Sequence, residues 1–132
     1  MTDARDAPLA PISWGELLDK ITILEIKDAR VGDAAKLVNI RNELALLTGI
    51  AAPVLGEAQV APLLARLKAI NEALWEIEER IRDKEEAQAF DADFVALARS
   101  VYHTNDERAA VKKQINLAVG SSLVEEKSYR RS

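Results

Sequence analysis

Asn105, Arg108, Lys112 and Asn116 recur at steps of three and four, so on a helix they share one face and continue a seam that Phe94, Leu97, Ala98 and Val101 begin as apolar. Two cations and two amides in such a row can hold an anion, or can meet acids inside a fold. The candidate acids lie on two other helical runs. Glu25 and Asp28 fall on the side of Leu17, Ile21 and Leu24, while Glu78 borders an apolar seam beside Asn71 and Trp75. Unpaired buried charges cost several kcal/mol each, so these groups must pair, reach water or meet a ligand. Three arrangements satisfy that demand. The first, and the expected one, is an internal charge and amide network that fixes helix register. In the second, Arg108 and Lys112 hold an anion in a pocket while Glu25 or Glu78 does acid-base work. In the third, the long cations snorkel to solvent.

Other constellations carry less. Ser100, His103 and Asp106 stand three apart, but steps of three drift around a helix. A mid-helix serine also has neighbouring amides committed to the helical ladder, which leaves no oxyanion hole for nucleophilic catalysis. Glu25-x-x-Asp28 and Glu76-x-x-Glu79 have the spacing of acidic pairs that share magnesium in all-α nucleotide pyrophosphatases. With 22 acidic residues in the chain, such pairs arise by chance. Glu76 to Glu86 reads better as a solvated face with the pairs Glu76-Arg80 and Glu78-Arg82. No metal site and no cofactor is expected.

These groups must be positioned by helices. Residues 63–86 and 91–116, joined by 87–90, form one long helical hairpin; Leu63, Leu67, Ile70, Leu74, Ile77 and Ile81 alternate by four and three along the first arm. Ser13-Trp14-Gly15-Glu16 has the form of a capping box, with Ile12 and Leu17 as its hydrophobic staple. The helix it starts runs to about Arg30. Trp14, Leu17, Leu18, Ile21 and Leu24 share one face and Ile23 and Ile26 lie nearly opposite, so the helix needs two neighbours, inside the bundle or in another subunit. Gly32 and Asp33 stop it and start a second helix, with Leu37, Ile40, Leu44 and Leu47 on its seam, which Gly49 is expected to end. Residues 50–61, with Pro53 and Gly56, then form the longest connection, and Pro62 suits the first turn of the third helix. The expected fold is all-α, an antiparallel four-helix bundle made of a short and a long hairpin. Residues 1–11 form a flexible lead-in, 12–120 a single domain and 121–132 a C-terminal tail with Leu123 and Tyr129 as possible anchors. The short hairpin cannot cover all of the long one, which points to a homodimer.

Composition agrees with one soluble domain: 132 residues, 48% hydrophobic, 30% charged, with few glycines and prolines. A net charge of -4 and the lack of a basic cluster with interleaved aromatics argue against nucleic acid as a partner. Cysteine is absent, which removes disulfides, thiolate catalysis and sulfur-based zinc sites. The first eleven residues lack the pattern of a signal peptide, and no apolar stretch approaches the ~18 residues of a membrane span. The expected compartment is the cytoplasm.

Ile12 to Ile21, Leu74-Trp75-Glu76-Ile77-Glu78, Phe90-Asp91, Leu97 to Tyr102, Asn105-Asp106 and Glu125 to Tyr129 resemble a family of short bacterial helical proteins catalogued as a domain of unknown function. The similarity covers nearly the whole chain after the lead-in. It brings no activity, cofactor or catalytic residue with it. Through relatives near surface-polysaccharide and glycosyltransferase genes it implies an accessory role there. The residues themselves support a non-enzymatic interaction or assembly module, a homodimer with a possible protein partner. The alternatives are a small-anion-binding enzyme built on Glu25, Asp28, Asn71, Glu78, Asn105, Arg108 and Lys112, and a magnesium-dependent nucleotide hydrolase.

Overall fold

The computed structural model describes residues 5–127, and among these it contains four α-helices and no strand. The first, α1 (Trp14–Arg30), starts where the Ser13 hydroxyl accepts the Glu16 N–H at 3.1 Å, satisfying one of the donors that a helix start leaves unpaired. Only half of the expected capping box forms, because the Glu16 carboxylate turns to Lys112 instead. Ile12, the expected staple residue, stays half exposed. The second helix, α2 (Ala34–Leu55), is capped by Asp33, which accepts from the amides of Ala35 and Lys36. Pro62 sits in the first turn of α3 (Ala61–Glu86), and Asp91 caps α4 (Ala92–Val119) at the Phe94 N–H. Gly120 ends α4 at φ 68°, a left-handed conformation that a residue without Cβ adopts freely.

The expected end of the second helix at Gly49 is corrected: α2 continues through Gly49 and Pro53 to Leu55. A mid-helix glycine costs only ~1 kcal/mol relative to alanine. Continuing the helix buries Ala51 completely and Val54 almost so, each within the core. Pro53, in the last turn and exposed, removes one ladder bond there without disturbing that packing. The connection shrinks to residues 56–60.

The helices alternate in direction. Lys20–Glu43 and Asp28–Arg41 pairs lock α1 antiparallel to α2, while Arg66–Gln114 and Lys84–Asp91 contacts do the same for α3 and α4. The four do not share the core equally: α1 packs against all three others, α3 and α4 pair along their length, and α2 lies mainly on α1. One face of α1, with Leu17, Leu18 and Ile21, joins Ala51, Val54, Val60, Leu67, Val111 and Ile115 in the core. Burying each large side chain of this kind is worth ~1.5–3 kcal/mol. The opposite face, Gly15, Asp19, Thr22 and Ile26, is buried as well. The two-sided pattern of α1 is thus met within the chain. At its C-terminal end Arg30 reaches Glu76 at 2.5 Å, and beyond that level α3 and α4 are left to each other, with Ile77 and Ile81 only half buried. No described helix is long and apolar enough to cross a membrane.

Candidate functional site

The buried face of α1 is polar where it meets α4. Gly15, Asp19, Thr22 and Ile26 follow steps of four, three and four, and the antiparallel α4 presents Asn116, Lys112, Arg108 and Asn105 against them. At the first level the Asn116 side-chain oxygen accepts the Gly15 N–H at 2.7 Å. A Cβ on residue 15 would stand 2.4 Å from the Lys112 carbonyl oxygen, so only glycine permits this approach. Ser121 accepts the neighbouring Trp14 N–H at 3.4 Å. The first turn of α1 is therefore capped from the far end of the chain.

One turn further, Asp19 is 1% exposed and binds Arg108 through both carboxylate oxygens, one from Nε at 2.9 Å and the other from a terminal nitrogen. The planar guanidinium fork matches a carboxylate in this way, and its bonds are the stronger for being charged. Asn71 on α3 donates to Asp19 at 2.9 Å and to the Thr22 hydroxyl at 2.8 Å, while Thr22 donates to the Asp19 carbonyl. Lys112 bonds Glu16 at 2.5 Å and stands 4.0 Å from Asp19. Hydrogen bonding to Asp19 holds the Arg108 guanidinium above its ordinary value, against the opposing effect of burial. Among the described residues no buried side-chain nitrogen or oxygen lacks a partner. A network closed to this degree fixes the register of three helices.

Three of the seven residues expected at the site lie elsewhere in bonding terms. Glu25 turns toward Lys68 at 3.9 Å and Asp28 to Arg41 of α2 at 2.7 Å, both at the surface. They share a side with the leucines, and that side faces α2 and α3. Glu78 makes the expected i,i+4 pair with Arg82 at 4.0 Å, but Glu76 bonds Arg30 of α1 and not Arg80. The acids of α1 that do meet α4 are Asp19 and Glu16; the spacing 15-19-22-26 was the signal for Asp19, and Glu16 borders it.

A cleft of about 370 Å³ opens beside this network between α1, α3 and α4. Ile23, Ile26, Leu74 and Trp75 supply apolar wall, and Asn71, Glu78, Glu79, Arg82, Asn105 and Arg108 supply polar groups. Four of the expected residues, Asn71, Glu78, Asn105 and Arg108, thus share one cavity, whereas Lys112 does not line it. Trp75 is half buried there, donating to Glu79 at 2.8 Å with the Arg30 guanidinium 5.8 Å over its ring.

The tail folds back along α4. Glu125 accepts from the buried Ser13 hydroxyl at 2.6 Å and from Asn116 at 3.5 Å; Glu126 pairs with Lys113 and Lys127 with Asp106. Burial pushes the Glu125 carboxyl up, but the bonds from Ser13, its own backbone and Asn116, with the field of Lys112, bring it below its ordinary value. Leu123 remains exposed, and Tyr129, the other expected anchor, lies outside the described residues.

The chain belongs to a family of unknown function (DUF6165), whose model matches residues 10–132. No curated protein and no solved structure matches it.

Proposed function

We propose that this protein is a non-enzymatic assembly module of the cytoplasm that works as a homodimer, pairing through the outer face of α2. The observation that carries the proposal is the character of that face. Ala35, Val38, Asn39, Asn42, Ala45, Leu46, Gly49, Ile50 and Pro53 are all exposed and share one side of the helix, and none is charged. Val38, Leu46 and Ile50 each leave more than half of their surface in solvent. Lys36, Arg41 and Glu43 stand only at its margins. In a chain with 30% charged residues a bare face of this length favours a partner. A second copy fits it best, since a two-fold interface sets each residue near its own kind and a charged face would repel itself. Ala45 and Gly49 also let two such helices approach closely.

The residues that acid-base chemistry would need are engaged with one another: Arg108 with Asp19, Lys112 with Glu16. Glu25 and Asp28 point to different helices, so they do not offer one ion a shared site, which weighs against the hydrolase alternative.

At ~1.5 Å per residue α2 spans roughly 33 Å, a footprint at the small end of specific interfaces, so dimerisation at micromolar concentration is expected. Light scattering over a dilution series tests it. The mass should move toward that of two chains as concentration rises, and Leu46→Asp should hold it at one. A wild-type mass of one chain at several hundred micromolar would end the proposal.

A further inference from the structure

The cleft between α1, α3 and α4 has a polarity that the assembly role does not use. Asp19 occupies Nε and one terminal nitrogen of Arg108. The other terminal nitrogen makes a single bond, a long one of 3.4 Å to the Asn105 side-chain oxygen. That nitrogen carries two hydrogens, and the Asn105 amide carries two more. Both residues line the cleft. Asn71, 6% exposed, has its amide hydrogens directed to Asp19 and Thr22, which holds the Asp19 carboxylate and, through it, the plane of the guanidinium. An arginine anchored on one edge by a buried acid, with its other edge turned to a cavity, is a pre-oriented receptor for a planar anion.

The charge around it narrows the class. Asp19 already neutralises Arg108, and Glu78 and Glu79 line the same cleft with Arg82, while Arg30, near Glu79 over the Trp75 ring, is itself bonded to Glu76. A dianion such as a phosphate monoester would meet about twice the repulsion that a single carboxylate does. The rest of the wall is Ile23, Ile26, Leu74 and Trp75, which suits an apolar body. A volume of about 370 Å³ is at the lower end of ligand pockets and accommodates a molecule of a dozen or so heavy atoms.

We infer that this cleft is a binding site for a small amphipathic monocarboxylate, its carboxylate on the free edge of Arg108 and the amide of Asn105, its apolar body against Ile23, Ile26, Leu74 and Trp75. The site is built wholly within one chain, so it stands whether or not the α2 face pairs.

Titration of the ¹⁵N-labelled full-length protein with 3-phenylpropanoate, followed by amide shifts, tests the inference. Saturable shifts are expected on residues around Ile23, Asn71, Trp75 and Asn105, with a dissociation constant of about millimolar, as ligand efficiency sets for so small a probe. Asn105→Ala, which leaves Asp19 and its bonds untouched, should weaken binding about tenfold, the scale of one lost hydrogen bond to a charged group. Ile23→Trp, which fills the cleft, should abolish it; if that variant loses its dispersed spectrum, Asn105→Ala alone decides. The amine counterpart, 3-phenylpropylamine, and inorganic phosphate should bind far more weakly. Absence of saturable shifts with the acid would overturn the inference. So would shifts of equal affinity with the amine or phosphate, or unchanged binding in Asn105→Ala.

Discussion

Replacing Arg108 with methionine isolates the pair on which the α1–α4 register rests. The substitution keeps a long unbranched side chain but removes both bonds to Asp19, a carboxylate only 1% exposed. Losing one member of a fully buried ion pair costs ~3–5 kcal/mol. Two features reduce that figure here. Asn71 still donates to Asp19 at 2.9 Å and Lys112 remains 4.0 Å away. Arg108 itself is 28% exposed and borders the open cleft, so water can enter the vacated space. The expected loss is therefore about 2–3 kcal/mol, a fall in Tm of roughly 8–12 °C for a domain of this size. Urea denaturation of Arg108→Met, Asp19→Asn and the double variant measures the coupling. The double variant should recover much of the loss, because the asparagine carries no stranded charge and can still accept from Asn71. Additive losses, or a single-variant cost within the ~0.5 kcal/mol scatter of independent sites, would refute the claim that the two groups hold the register together.

Gly15→Ala should destabilise by about 1–2 kcal/mol in the same denaturation assay, since overpacking against the Lys112 backbone, at the upper end of its ~1–3 kcal/mol range, outweighs the ~1 kcal/mol helical gain of alanine. Lys112→Met should cost less than Arg108→Met, about 1 kcal/mol, because the Glu16 carboxylate it leaves is 42% exposed and can be hydrated. The tail should loosen in acid. The Glu125 carboxyl is depressed in the folded state, so its contribution is fully present above the ordinary glutamate value of 4.5 and is lost as pH falls through the lower folded value. Heteronuclear NOEs of residues 121–127 should drop over that window, and Glu125→Gln should show the loosened tail already at neutral pH.

The order of the helices and the starts of α1, α3 and α4 were legible because local signals and tertiary packing agree there, in the Ser13 cap, Pro62 in a first turn and Asp91 before α4, whereas α4 runs three residues past the expected Asn116, to Val119 before Gly120. The end of α2 was not, because Gly49 and Pro53 are local breakers. Gly49 costs ~1 kcal/mol of helix propensity and Pro53, ~3 kcal/mol in a helix interior, removes one ladder bond in the last turn, while Ala51 and Val54 find a core that no window of sequence displays. The missing acids have a different cause. Grouping α1 by hydrophobicity sets the leucine face first and draws Glu25 and Asp28 in with it, and glycine, aspartate and threonine on the other side fall out of any apolar count. Read instead for complementarity, Gly15, Asp19 and Thr22 keep a seam's spacing with residues small or anionic enough to face Asn116, Lys112 and Arg108. Polar groups here specify which helix lies where, since a carboxylate this buried tolerates few alternative registers. The cleft follows from the same seam. Where α1 turns apolar at Ile23 and Ile26, α4 still carries Arg108 and Asn105, and the two faces no longer match. A mismatch at the end of an otherwise closed network leaves donors with incomplete partners against an apolar wall, which is the condition for holding a small molecule with one charged end.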